Sequence, residues 1–183
     1  MSVYVLRPDQ DCTLPRYDVT THGDVFRPLS PMLLGPVPLY SGMYAQNMEN
    51  AWQFSKVYPQ HEFDLEAYWP WAQAGWNATW AERHPMGKGT RPVYSLWAGE
   101  RLDYLTARRR IYVPLYTQAV RMHALAAFGA LKVEHARHGD IVLTDFDAYD
   151  HRSLGYSWND VMGDPHRKMG HGFVLAMMLE GLL

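Results

Sequence analysis

The chain has 183 residues, 48% of them hydrophobic and 20% charged, with a formal net charge of -2. This composition supports a packed core and excludes wholesale disorder. The near-neutral charge excludes a protein that grips duplex DNA by bulk positive charge. The single cysteine, Cys12, excludes an intrachain disulfide and a cysteine-rich zinc knuckle, so a cytoplasmic location is expected.

Residues 3–6 alternate like a short strand, ended by Pro8. Residues 24–38 hold four prolines and are expected to form a loop and short strands, with Val37 and Leu39 facing inward. Asn47 can cap a helix over 48–57, stopped near Pro59. A helical turn is expected at 65–69 before Pro70, and a helix at 71–83 weakened by Gly75. Residues 85–92 read as a loop, and 96–110 as mixed, with helix favoured from Glu100. The strongest helix pattern is 114–138. Pro114 suits its first position, Gly139 ends it, and Leu115, Ala119, Met122, Ala126, Ala130 and Val133 form one apolar face. Residues 141–143 read as a buried strand, 145–168 as a polar loop, and 172–182 as a helix apolar nearly all round. Few strands that do not alternate with helices predict a helix-rich α+β fold in one domain spanning 1–183. The longest apolar run, 173–179, is far short of the roughly 20 residues of a membrane helix, so no membrane partner is expected. Arg7, Asp9 and Asp11 leave no secretory signal visible.

Four patterns can carry chemistry. Glu49, Gln53 and Lys56 stand at i, i+4 and i+7, within a helical sector of roughly 60°. The plain reading is a solvated polar stripe. The functional one is a carboxylate and an amine aimed into a cleft, able to stabilise a cation and move a proton. Asp145, Asp147 and Asp150 follow the strand at 141–143, either as a solvated acidic loop or as site carboxylates. Gly170, His171 and Gly172 open the last helix, where free amides can receive phosphate or glycines simply allow tight packing. Arg108, Arg109 and Arg110 form a basic run that meets phosphates or merely faces solvent. Seven Trp and twelve Tyr are heavy for this length. They either fill a small core or line a cleft that stacks a base. His135 and His138 lack a third ligand, so no metal is expected, and no nucleotide-cofactor motif is present.

Leu29-Ser30-Pro31-Met32, Gly42-Met43-Tyr44 and the segment from Glu49 through Asn50-Ala51-Trp52-Gln53-Phe54-Ser55 to Lys56 together resemble the N-terminal half of the NADAR (NAD- and ADP-ribose-associated) family. Trp158 and the glycine-flanked final helix resemble its C-terminal portion more loosely. Pro31, Asn159 and Gly172 depart from the family pattern. The resemblance implies a NADAR-like fold and hydrolysis of an N-glycosidic bond in a ribosylated or ADP-ribosylated base or nucleotide, with no cofactor. It implies catalytic roles for Glu49 and Lys56. One of Asp145, Asp147 and Asp150, here Asp147, is implied as a third catalytic candidate, and Trp158 as a substrate contact. Trp52, Gln53, Asp145, Arg110, Gly170 and His171 complete the candidate substrate contacts. A non-catalytic nucleotide binder and a nucleic-acid-acting protein are the alternatives.

Overall fold

The computed structural model describes all residues, Met1–Leu183. In chain order the first elements are β1 (Val3–Leu6), β2 (Arg16–Asp18), β3 (Val37–Pro38), β4 (Tyr44–Ala45), α1 (Met48–Gln53), β5 (Lys56–Val57) and α2 (Leu65–Asn77). They are followed by β6 (Tyr94–Trp97), β7 (Glu100–Leu102), α3 (Tyr104–Ala107), α4 (Val113–His123), α5 (Leu125–His138), β8 (Ile141–Thr144), α6 (Trp158–Gly163) and α7 (His171–Leu179). The fold is α+β and helix-rich, with two compact units: Met1–Ser30 with Tyr116–Leu183, and the contiguous Pro31–Leu115. No helix is long and apolar enough to cross a membrane.

The first unit is built on β8. All four of its residues are buried, and it lies between β1 and β2, parallel to both, with Val3 opposite Ile141 and Arg16 opposite Val142. A strand covered on both faces needs the continuous apolar run that 141–143 displays. Helix α7 packs on β1 and β8 and is buried from His171 to Met178, as its all-round apolarity predicts. It spans 171–179 rather than 172–182; Gly181, at φ 75°, lies beyond its end.

The second unit carries two small antiparallel sheets, β3 with β4 and β5 with β6 and β7. Asn47 caps α1 as expected, its Oδ1 accepting from the Asn50 amide at 2.8 Å. The helix expected over 48–57 stops at Gln53, however. The Ser55 hydroxyl donates to the Trp52 carbonyl at 2.8 Å, and Lys56 pairs with Ser95 in β5. The two helical pieces expected either side of Pro70 are one helix, α2. Pro70 leaves only the carbonyl of exposed Glu66 without its helical donor. Gly75 does not weaken α2 idly, because a Cβ there would overlap the Phe54 ring. Helix does not begin at Glu100, which opens β7; Asp103 caps α3 three residues later, accepting from the Thr106 amide.

Residues 114–138 are not one helix starting at Pro114. Helix begins at Tyr104 and widens into a π-helical turn at Arg108–Tyr112, where the Val113 amide donates to the Arg108 carbonyl. Pro114 then follows inside α4, where it has no N–H to offer. A second break falls at Ala124, with φ −132° and ψ 27°. This break resets the helical phase. Leu115 and Ala119 are buried, but the inward face of α5 is Phe128, Leu131 and His135, while Met122, Ala126, Ala130 and Val133 are exposed. The stretch 145–168 is not all loop, because Ser157 and Asp160 form a capping box that starts α6.

Candidate functional site

Glu49 and Gln53 stand one turn apart on α1, and both are buried. The Gln53 amide donates from Nε2 to Glu49 Oε1 at 2.8 Å and accepts at Oε1 from Lys56 Nζ at 2.7 Å. The orientation of that amide is forced: an ammonium only donates and an ionised carboxylate only accepts. Lys56 reaches this position from β5 and not from the helix. Its Nζ lies 4.5 Å from the centre of the Trp52 ring, which also packs against Tyr112 at 5.2 Å. Trp52 is therefore engaged by an ammonium and a tyrosine.

Glu49 Oε2 has a different status. It makes no hydrogen bond within the protein and is not sealed from solvent. Glu49 as a residue is only 7% exposed, so the carboxylate has one oxygen anchored and one available in a mostly desolvated setting. Tyr58 is buried nearby. Burial, and then the Glu49 charge, push its phenol up to about 12, so it remains a neutral hydroxyl.

The first unit holds a second buried carboxylate. Asp145 extends from the end of β8 to the start of α7. Its Oδ2 lies 3.1 Å from His171 Nδ1 and accepts from the Gly172 amide at 2.8 Å, while Oδ1 accepts from the Asp147 amide at 3.1 Å. Burial alone would raise its pKa. The His171 charge and hydrogen bond and the two amides outweigh that and bring it down to about 2. His171 Nε2 lies 2.9 Å from the Val19 carbonyl. Both ring nitrogens thus face groups that only accept, so His171 carries two N–H groups and is an imidazolium. Tyr116 packs against it at 5.8 Å and donates to the Leu29 carbonyl at 2.5 Å. A Cβ on Gly170 would overlap the Asp145 carboxylate. The glycines thus admit a carboxylate of the chain itself at the helix start, in place of a phosphate.

The side chains of the remaining candidates are held by other partners. Asp147 is partly exposed, with Lys168 Nζ 3.4 Å from its Oδ1. Asp150 accepts from the Ser153 amide in a turn. Trp158 donates from Nε1 to Glu180 at 2.7 Å and stacks on His151 at 4.4 Å. Arg110 is exposed and held by Glu100 at 2.7 and 3.0 Å. Arg108, by contrast, is 2% exposed and donates to the Tyr104 hydroxyl at 2.8 Å. The basic run therefore splits, one arginine inside and two outside. Many aromatic residues pack on one another: Phe54, Tyr58, His61, Tyr68 and Trp71 make one ring cluster, and Tyr40 packs on Trp76 and Trp97. A cavity of about 330 Å³ in the second unit is lined by Gly42, Met43, Tyr44, Gln73, Trp76 and Asn77, and not by Glu49, Gln53 or Lys56.

Sequence reasoning missed Tyr58, Tyr112, Tyr116 and Glu180. Tyr58 becomes legible only once Lys56 is on a strand, which points residue 58 to the same side. Glu180 stood out, as the one carboxylate after a wholly apolar helix. Tyr112 and Tyr116 depend on tertiary packing alone.

Residues 13–154 match the model of a family described as a family of unknown function, DUF6939. That segment includes Glu49, Gln53, Lys56 and Asp145, and it ends before Trp158 and His171. No curated protein and no solved structure matches the chain.

Proposed function

The chain belongs to the DUF6939 family, and we propose that this member hydrolyses an N-glycosidic bond in a ribosylated or ADP-ribosylated base or nucleotide. The observation that carries the reading is the half-committed carboxylate. Glu49 is fixed through Oε1 by Gln53, is nearly desolvated, and keeps Oε2 for an outside partner. Breaking a ribosyl C–N bond builds positive charge on the anomeric carbon and ring oxygen. A pre-oriented carboxylate oxygen in a low-dielectric setting stabilises that charge, or orients the attacking water. Lys56, held by Gln53 on the other side of the same amide, supplies a proton to the departing base. Gln53 keeps the acid and the carboxylate apart, so the two do not neutralise each other by direct contact.

The resemblance of the 49–56 segment to the NADAR family points to the same chemistry. The test is hydrolysis of ADP-ribosylated nucleosides, followed chromatographically as free base released. Glu49→Gln and Lys56→Ala are each expected to lower the rate by about 10²- to 10⁴-fold. Full activity in both variants sinks the mechanism. Thermal stabilisation by ADP-ribose with no turnover in the unsubstituted protein would instead identify a binder.

A further inference from the structure

Helix α5 presents an apolar face to solvent. Met122, just before it, is 53% exposed, Leu125 62% and Val133 64%, and Ala126, Ala130 and Ala136 are exposed beside them. The buried residues of the helix, Phe128, Leu131 and His135, lie on the opposite side. Nothing in the protein covers the outer face. Gly129 sits in its middle, and a Cβ there would meet no atom. The chain's own packing thus does not require glycine at a position where alanine makes a stronger helix.

The edges of the face carry a net positive charge. Between residues 121 and 138 the exposed arginines and lysine are Arg121, Lys132 and Arg137. The one carboxylate in the stretch, Glu134, is occupied by the Tyr17 hydroxyl at 2.8 Å and by His138 at 3.3 Å. We propose that this face docks an amphipathic helix of a partner protein, apolar on the docked side and edged with carboxylates. A second copy of the chain fits poorly. Two α5 helices packed antiparallel about Gly129 would bring the Arg137 end of each toward the Arg121 end of the other and add no carboxylate to either basic edge. The face is about 21 Å long and about 10 Å wide, well below the roughly 800 Å² per partner of a stable dimer, so it suits a transient helix contact.

The probe is a fluorescein-labelled synthetic helix of about 20 residues, with leucine and alanine on one face and glutamate along both edges. Saturable binding by fluorescence anisotropy is expected, weakened when salt is raised to about 0.5 M. Val133→Glu and Gly129→Leu are each expected to weaken it at least about tenfold, with the folded circular dichroism spectrum kept and Tm not lowered. Three results would overturn the proposal. One is no saturable binding to the folded protein; another is equal binding by the two variants. The third is equal binding of a lysine-edged peptide. A dimer in sedimentation that Val133→Glu dissociates would assign the face to a second copy and overturn it as well.

Discussion

Each unit of this protein buries one carboxylate at the junction of a helix and its neighbours, and the two are used in opposite ways. Asp145 has both oxygens occupied, by an imidazolium and two backbone amides. Glu49 has one oxygen occupied, by a side-chain amide that also holds an ammonium. Burial alone does not separate structural from chemical carboxylates, since both residues are less than 10% exposed. What separates them is whether any acceptor capacity is left over. The Asp145 arrangement also offsets an unfavourable placement, because His171 puts a positive charge on the first residue of α7, at the positive end of the helix.

The sharpest way to break this comparison is Asp145→Ala. It strands a buried imidazolium and is expected to cost about 3–5 kcal/mol in urea unfolding; an unchanged midpoint would remove Asp145 from its structural role. Gly170→Ala comes next, because its Cβ meets the Asp145 carboxylate. Overpacking there is expected to cost about 1–3 kcal/mol, read as a lower Tm. By contrast, Glu49→Gln should change stability by less than about 1 kcal/mol, because it keeps the shape and can keep the bond to Gln53. A large loss of stability in Glu49→Gln would make the two carboxylates alike.

Acid titration sharpens the contrast further. The Asp145 carboxyl sits at about 2 in the fold and near 3.9 in the unfolded chain, so the unfolded chain takes up the proton first. Its stabilising contribution is complete above about pH 4 and is lost as the pH falls toward 2. His151 acts in an earlier window. Burial, and then the charge of Arg152, bring it down to about 4, against about 6.5 unfolded, so stability declines between about pH 6.5 and 4. The urea midpoint followed against pH should show both declines. His151→Phe should flatten the upper one and Asp145→Asn the lower one. A single decline unaffected by either substitution would contradict both assignments.

Spacing carried much of the second unit. Glu49 and Gln53 meet because i and i+4 are neighbours on a helix. Lys56 joins them for a reason that spacing did not contain, since the chain leaves the helix at Gln53 and returns the amine from a strand. The apolar runs at 141–143 and 173–179 located the core of the first unit, because elements buried on all sides read as unbroken apolar sequence. Asp145 and His171 stand 26 positions apart and are joined by tertiary packing, for which no periodicity exists. The buried face of α5 departs from the spacing because Ala124 shifts the phase of an otherwise continuous pattern.

The strand order of the first unit also bears on synthesis. Residues 3–6 and 16–18 have no sheet partner until residues 141–144 leave the ribosome. The stretch 31–115 holds all of its own strand pairings within one uninterrupted segment. The middle of the polypeptide is therefore positioned to fold first, while the leading residues wait, unpaired, for the tail that completes their sheet.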